Sequence, residues 1–179
     1  IVVDELIESG AIPPDSGSDE SLLDLRKIEL ANAINERSSQ RVVEQLLLVG
    51  ARDPTRPIDL YMSSPGGWTG SAFFIVDAMQ GIAAPVNAHA VGQCYSACTM
   101  ILAAGTGVRT ASANALLMVH ANLNDSKAEF SYPRLDRARY EKLFRDHGKL
   151  PADWFPMTRD ESYYLSPKEA LRYGLIDRI

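Results

Sequence analysis

Residues 91–100 read VGQCYSACTM and carry a single serine, Ser96, between two apolar segments. Residues 86–91 predict a β-strand and residues 96–104 predict an apolar helix, with a turn at Gly92 between them. A serine at that joint lies at a helix N-terminus, where unpaired N–H groups and the positive end of the helix dipole favour a developing anion. The pattern predicts a nucleophile at Ser96. For this residue taken alone, a helix-capping serine is the alternative.

Two further predicted strands end on groups that could assist a nucleophile. Residues 58–62 predict a strand, and the pair Gly66-Gly67 that follows it leaves backbone amides unscreened by side chains. Residues 115–119 predict another strand, directly followed by His120. Because an α/β sheet gathers its functional groups at strand ends, we expect these groups to lie near Ser96. Acyl transfer by serine needs such a base and such amide donors.

Helical and extended patterns alternate along the chain, which predicts an α/β fold with a mostly parallel sheet and right-handed crossovers. Between the strands already described, the predicted helices cover residues 69–80 and 96–104. An earlier helix is capped by Ser38 or Ser39 and runs to Val49, with Gly50 as its terminator. Residues 21–35 fit a strand and turn as well as a helix.

The C-terminal part of the chain predicts two more helices. Pro133 suits a first helical position, and this helix stops at Gly148. The sequence SPKE at residues 166–169 is a capping box with proline at the first turn, and Gly174 ends that helix. A short strand is predicted after it, at residues 175–177.

The length of 179 residues and the hydrophobic fraction of 46% fit one domain with its own core. Residues 1–20 contain Pro-Pro and a Ser/Gly/Asp patch, which predict a mobile N-terminal arm. We therefore expect one domain over residues 21–179.

Charge and hydropathy argue against several classes of protein. A net charge of −5 does not favour a nucleic-acid partner or an anionic membrane surface. No apolar run approaches the roughly 18–20 residues that cross a bilayer. No signal peptide is visible from Ile1, and no metal-ligand spacing or lysine-containing phosphate loop is present, so we expect no metal and no ATP on this chain.

The chain has two cysteines, Cys94 and Cys98, four positions apart. If both lie on the helix they share a face, where a disulfide between i and i+4 is geometrically awkward. We therefore expect buried free thiols, which suit a reducing compartment such as the cytoplasm.

Together these segments resemble the Clp protease proteolytic subunits (the ClpP family). The resemblance covers residue 25 to the C-terminus, in order. It is carried by YMSSPGG at residues 61–67, DAMQ at 77–80, GQCYSA at 92–97, MVH at 118–120 and YLSPKEALRYGLID at 164–177.

The resemblance implies a serine endopeptidase on a crotonase-like spiral of βαβ units, with a head and handle segment at about residues 121–157. Ser96 matches the nucleophile and His120 the general base. The amides of Gly67 and Ala97 match the oxyanion hole.

The third residue of the implied triad departs from the family pattern. Members place an aspartate four residues before the serine that caps the last helix, and here that position is Ser162. Asp160 is the preferred candidate for the acid, because Thr-Arg-Asp at residues 158–160 resembles the family's wording. Glu161 is the second candidate.

The resemblance also implies how substrate is held and how the protein assembles. Two segments would bind a peptide as an added strand, and their predicted contacts are Gly66, Trp68, Thr69, Leu123, Asn124 and Asp125. For Trp68, packing in the core or an interface is the alternative. We expect a homo-oligomer, as a heptameric ring or double ring, fed with unfolded protein by an AAA+ unfoldase that alone uses ATP.

Two alternative functions stay open at this point. One is a catalytically silent ring subunit that assembles with an active paralogue. The other is a crotonase-type acyl-CoA enzyme, since that fold also pairs backbone amides as an oxyanion hole.

Overall fold

The structure is a computed structural model that describes residues 22–120, 132–151, 153–155 and 161–179. The predicted mobile arm at residues 1–20 lies outside the described residues, as do residues 121–131 of the predicted head segment. The proposed domain bounds stay predictions.

One sheet organises the described part of the chain. Its strands are β1 (Lys27–Ala31), β2 (Ile58–Ser64), β3 (Val86–Tyr95), β4 (Arg109–Ala111), β5 (Leu116–Val119) and β6 (Tyr163–Leu165). In the order β1-β2-β3-β5-β6, neighbouring strands are hydrogen-bonded, and β4 pairs separately with β3. All pairings are parallel except that of β5 with β6, which is antiparallel. The predicted mostly parallel α/β fold is confirmed.

The helices connect these strands and pack against one another in chain order. They are α1 (Glu36–Arg52), α2 (Thr69–Gly81), α3 (Ala97–Ala103), α4 (Tyr132–His147) and α5 (Pro167–Arg172). Helix α1 contacts α2, α2 contacts α3, and α3 contacts α4. Their apolar sides bury one face of the sheet, because α1 also contacts β1 and β2, and α3 contacts β3.

The two faces of the sheet differ in burial. Strand β2 lies between β1 and β3, and its side chains alternate between the two faces of the sheet. Ile58 and Leu60 on one face are fully buried, whereas Tyr61 on the other face is only half-buried. Parallel sheets in single-chain α/β proteins usually have both faces covered, and their strands then lack this alternation. The described part of the chain covers one face of the sheet and leaves the other partly open.

Strand β3 is longer than predicted. It continues through Gly92 to Tyr95, where a turn was expected. The reason is pairing: residues 93–95 bond to residues 116–118 of β5, which holds them extended. Gly92 keeps a φ of 78° and lies at a register shift against β2. The strand therefore delivers the chain directly to Ser96.

Helix α1 begins earlier than predicted. Its N-cap is Asn35, whose side chain accepts from the amide of Ser38 at 3.0 Å. Ser38 is the third helical residue and its hydroxyl accepts from the Asn35 amide at 2.9 Å. The prediction of a cap at Ser38 or Ser39 is wrong by a few residues, because asparagine fills the same role as serine there.

Helix α1 also ends later than predicted. It passes through Gly50 to Arg52, and Gly50 has no left-handed φ. The buried guanidinium of Arg26 donates to the carbonyl oxygens of Val49 and Asp53 at 2.9 and 2.8 Å. These bonds satisfy carbonyl groups at the end of α1. The helix therefore ends beside Arg26 instead of at Gly50, where its end was predicted.

The capping box of α5 is confirmed at Ser166 and Glu169, and Gly174 follows the helix with a φ of 68°. The strand predicted at residues 175–177 is wrong. The C-terminus forms an isolated bridge from Arg178 to Thr110 instead. Strands β4 and β6 were not predicted, since three residues are too few to show a period.

Candidate active site

Ser96 lies at the joint between β3 and α3 in a strained backbone conformation. Its φ of 53° and ψ of −119° belong to a region that L-residues rarely adopt. Its amide donates to the Met118 carbonyl at 2.7 Å, and its own carbonyl accepts from the Thr99 amide at 3.0 Å. The Ser96 hydroxyl makes no capping bond to α3. The helix-capping alternative is therefore wrong, and the fold holds this hydroxyl away from its own helix.

His120 supplies the partner of that hydroxyl. It directly follows β5, which pairs in parallel with β3 through Tyr95 and Met118. Neighbouring parallel strands end at the same edge of a sheet, so residues 24 positions apart meet there. The Nε2 atom of His120 lies 2.7 Å from the Oγ atom of Ser96. This is hydrogen-bond distance for a nucleophile and its base.

The environment of His120 favours its neutral form. Partial burial lowers the pKa of the imidazole below its ordinary value of 6.5, because burial disfavours the charged ring. A neutral Nε2 that lacks its proton accepts one from the serine hydroxyl. The pKa shift therefore keeps His120 in the state that a general base requires.

Gly66 brings a second loop against the Ser96 joint. A Cβ atom at this position would lie 2.5 Å from the Tyr95 carbonyl oxygen, 2.8 Å from the Ser96 Cβ and 3.1 Å from the Ala97 amide nitrogen. Its φ of 91° also favours glycine. The loop after β2 can approach the joint this closely because it has no side chain there.

The next residue, Gly67, is held from the other side. It forms an isolated bridge with Ile34, and a Cβ atom would lie 2.0 Å from the Ile34 carbonyl oxygen. Within the described part of the chain, the amides of Gly67 and Ala97 donate to no backbone or side-chain acceptor. These two predicted donors therefore have no internal acceptor in that part of the chain.

The candidates for the third residue have different positions. Asp160 lies outside the described residues. Glu161 is exposed, and no bond between it and His120 occurs among the described residues. Burial is the cause of the shift in the pKa of His120, with no carboxylate contributing in that part of the chain. The structure does not bring Glu161 to the histidine.

The predicted substrate contacts are partly described. Trp68 is 67% exposed, so the alternative that it packs in this chain's core is wrong. Thr69 begins α2 directly after it. A large exposed aromatic beside Gly67 is a surface on which a ligand can pack. The remaining predicted contacts, Leu123, Asn124 and Asp125, lie outside the described residues.

Two buried thiols flank the joint. Cys94 belongs to β3 and Cys98 to α3, so the premise that both lie on one helix face is wrong. The turn at Ser96 folds them together, with their Sγ atoms 2.6 Å apart. Both are free and fully buried, as expected. Burial raises the pKa of the Cys94 thiol, which keeps it protonated and unreactive.

One contact of the site escaped the sequence analysis. The hydroxyl of Tyr140, on α4, donates to the backbone carbonyl of His120 at 2.9 Å. Tyr140 was not among the candidate residues predicted from the sequence. A tyrosine four positions before a buried phenylalanine lies on the same helix face, and that spacing could have placed its ring in the core.

The described residues show neither of two other kinds of site. They contain no group of three His, Cys, Asp or Glu side chains arranged to hold a metal ion. None of the helices in the described ranges has the length and hydropathy to span a membrane.

The chain is similar to known proteins over most of its length. The model of the Clp protease family matches residues 16–179. A protein named ATP-dependent Clp protease proteolytic subunit 2 from Parasynechococcus marenigrum (strain WH8102) is 33% identical over 166 residues, which cover 88% of this chain and 84% of the relative. The protein of the same name from Synechococcus sp. (strain CC9605) has the same identity and coverage, 33%, 88% and 84%. The ATP-dependent Clp protease proteolytic subunit of Deinococcus radiodurans is 31% identical, covering 88% of this chain and 81% of that protein.

Proposed function

Since the chain belongs to the Clp protease family, we propose that it is a serine endopeptidase with Ser96 as nucleophile and His120 as general base. The observation that carries this proposal is the 2.7 Å distance from the Ser96 hydroxyl to His120 Nε2, at the ends of two neighbouring parallel strands. A strained backbone at Ser96 supports it, because strain of this kind is concentrated at functional sites.

The reaction begins with transfer of one proton. As the Oγ atom of Ser96 attacks the peptide carbonyl carbon, its proton passes to Nε2 of His120. The imidazolium then gives that proton to the leaving amine, and an acyl-enzyme remains on Ser96. Water, deprotonated by the same nitrogen, attacks the ester carbonyl. The imidazolium returns that proton to the departing Oγ of Ser96, which releases the acid and restores the enzyme.

The amides of Gly67 and Ala97 stabilise the oxyanion. The carbonyl oxygen becomes negatively charged when the tetrahedral intermediate forms, and it needs donors that are already in place. Both amides lack an internal acceptor in the described part of the chain, and Gly66 brings their two loops together. Losing one such donor costs about 10²–10³ in kcat in a serine peptidase.

A carboxylate completes the triad in this proposal. Asp160 is the first candidate to accept from Nδ1 of His120 and Glu161 the second. The lack of a described partner for Glu161 supports that order. Such a group fixes the tautomer in which Nε2 is the acceptor, and its loss costs about 10⁴-fold in a triad enzyme.

The substrate in this proposal is an extended, unfolded polypeptide. It adds as a strand beside Gly66, Trp68 and Thr69 on one side, with residues 123–125 on the other. The exposed ring of Trp68 supports a site that prefers an apolar or aromatic side chain of the substrate.

The proposed assembly is a heptameric ring or double ring of this chain, which receives substrate from an AAA+ unfoldase. The partly open face of the parallel sheet supports association, because a second copy could cover it. The chain uses no cofactor of its own, and ATP is used by the unfoldase. The two buried free thiols support a cytoplasmic location.

Intact mass after incubation with a fluorophosphonate tests the catalytic proposal. We expect one adduct per chain on the wild type and none on Ser96→Ala, since the reagent reacts with an activated serine. His120→Ala should also prevent the adduct, because the hydroxyl then lacks its base. No adduct on the folded, assembled wild type would exclude an active peptidase and favour the silent ring subunit.

A further inference from the structure

Tyr140 is tied to the backbone of the proposed base. Its hydroxyl donates to the His120 carbonyl oxygen at 2.9 Å, across 20 positions of sequence. The side chain is 2% exposed, and its ring packs on that of Phe144 with centroids 4.8 Å apart. A buried phenol needs a partner, and here the partner is the peptide of a residue in the active site.

The bond from Tyr140 matters for His120 because this residue lies just beyond the end of its strand. Strand β5 ends at Val119, the last residue of the ladder with β6. His120 follows the ladder, so pairing between strands no longer fixes its peptide. In the described part of the chain two hydrogen bonds hold the residue, one from Ser96 to its ring and one from Tyr140 to its carbonyl.

Helix α4 is itself anchored, so it can hold Tyr140 in place. The carbonyl of His147, its last residue, accepts from the guanidinium of Arg109 at 2.9 Å. The next amides continue the anchoring: Gly148 donates to Phe144 and Lys149 donates to Tyr173, at 2.9 and 2.7 Å. The helix also packs on α3, whose N-terminus follows Ser96.

The hydroxyl of Tyr140 remains a hydrogen-bond donor over the pH range in which the site would work. Burial raises the pKa of the phenol well above its ordinary value of 10.0. The group therefore stays protonated across the pH range in which a histidine base works, and the bond to His120 does not titrate with the enzyme.

We propose that Tyr140 is a positioning residue, which fixes the backbone of His120 so that Nε2 faces the Ser96 hydroxyl. The proposal rests on the proposed function, because it assigns Tyr140 a role in the activity of Ser96 and His120.

The test compares Tyr140→Phe with Tyr173→Phe. Tyr140→Phe keeps the ring that packs on Phe144, so the volume of the core is unchanged. Tyr173 is a matched control: it is also buried, and its hydroxyl interacts with Arg172 and Tyr163 rather than with Ser96 or His120. Tyr173→Phe keeps the backbone carbonyl that accepts from Lys149. Each variant loses one phenolic hydroxyl.

The first measurement is the rate of fluorophosphonate labelling at Ser96. We expect Tyr140→Phe to slow it about 5- to 10-fold, the effect of one hydrogen bond on a barrier, and Tyr173→Phe to leave it unchanged. With a peptide ester substrate, Tyr140→Phe should lower kcat by the same factor and leave KM unchanged, because substrate contacts are retained.

The second measurement needs no activity. The chain has three histidines, so carbon-labelled imidazoles give three resonances, each assigned by a His→Gln variant. We expect the titration of His120 to move to higher pH in Tyr140→Phe, as the ring gains access to water, and to stay in place in Tyr173→Phe.

The outcomes separate the two proposals. No labelling of the wild type would overturn the proposed function, and the imidazole titration would still test Tyr140. A Tyr140→Phe protein that is folded, labels at the wild-type rate and shows an unchanged His120 titration would overturn the positioning role alone.

Discussion

Gly67 shows how one missing side chain can determine the chemistry of the site. A Cβ atom there would lie 2.0 Å from the Ile34 carbonyl oxygen, and its φ of 153° adds strain for any other residue. The loop must shift to accept even a methyl group. Any such shift moves the amide that the proposed mechanism uses for the oxyanion.

Gly67→Ala should therefore reduce fluorophosphonate labelling of Ser96 by about 10²-fold or more, as expected for loss of an oxyanion donor. It should also lower the free energy of unfolding by about 1–3 kcal/mol, the usual cost of a strained backbone. Labelling followed by mass spectrometry and unfolding in urea measure the two effects.

Gly81→Ala is the control for that substitution. Gly81 ends α2, and a Cβ atom there meets nothing within 4 Å. Alanine should leave labelling unchanged and raise stability by up to about 1 kcal/mol. Wild-type labelling of Gly67→Ala would contradict the role of its amide.

The pH dependence of labelling should report the environment of His120. Burial lowers its pKa below 6.5, so the neutral base persists to lower pH than for an exposed histidine. The labelling rate should fall with decreasing pH, with a midpoint below 6.5. Protonation also favours the unfolded state, whose histidine has the higher pKa, so the contribution of this group to stability decreases over the same range.

A midpoint at or above 6.5 would contradict this prediction. It would indicate that a carboxylate next to the ring outweighs burial, since a negative charge favours the imidazolium. Asp160→Asn would then be compared with Glu161→Gln to identify the group.

Among helices and strands, Arg109 in β4 joins two helix ends and the C-terminal segment. Its guanidinium donates to the Ala103 carbonyl at the end of α3 and to the His147 carbonyl at the end of α4, at 3.1 and 2.9 Å. It also binds the Asp177 carboxylate through two nitrogens, at 2.6 and 3.1 Å. Two helix ends and the C-terminal segment thus share one cation.

Arg109→Met should lower the free energy of unfolding by about 2–3 kcal/mol, because two helix-end carbonyls and the Asp177 carboxylate lose a charged donor. It should also slow labelling of Ser96, since α4 carries Tyr140. Arg178→Met is the control: this neighbouring residue is exposed, and its loss should change stability by less than about 0.5 kcal/mol. Equal stabilities of the two variants in urea would exclude the anchoring role.

Low pH should weaken the ion pair between Arg109 and Asp177. Arg109 holds the pKa of the Asp177 carboxyl below its ordinary value of 3.8, by a side-chain hydrogen bond first of all. The stability from this pair is therefore present above that value and lost as pH falls through the lowered pKa.

For the molecule as a whole, the reactivity of the two thiols is a measure of unfolding. Cys94 and Cys98 are fully buried where the sheet meets α3. We expect no reaction with a thiol reagent such as dithionitrobenzoate in the native protein, and reaction of two thiols per chain after unfolding in denaturant. Rapid reaction of a thiol under native conditions would contradict burial of the joint. Ser96→Ala, which keeps both cysteines, should give the same result.

The candidate site could be predicted from the sequence where its residues belong to short, recognisable patterns. Ser96, His120 and the pair Gly66-Gly67 each follow an apolar strand, and such strands are recognisable from a short window. The capping box at Ser166 was recognised for the same reason. Strand β4 and the extension of β3 were not, since they depend on partners elsewhere in the chain.

The sequence alone determined the family, the α/β order and the positions of Ser96, His120 and the glycine pair at the ends of strands, because glycine turns, caps and apolar strands are encoded within a few residues. Only the tertiary structure decided how Ser96 is turned toward His120, how Tyr140 holds that histidine and how Arg109 joins the helix ends. Apart from the bond of Arg109 to the nearby Ala103 carbonyl, these contacts link residues 20 to 68 positions apart. The physical reason is that a hydrogen bond across such a separation depends on the packing of whole elements, and no local pattern specifies its partner.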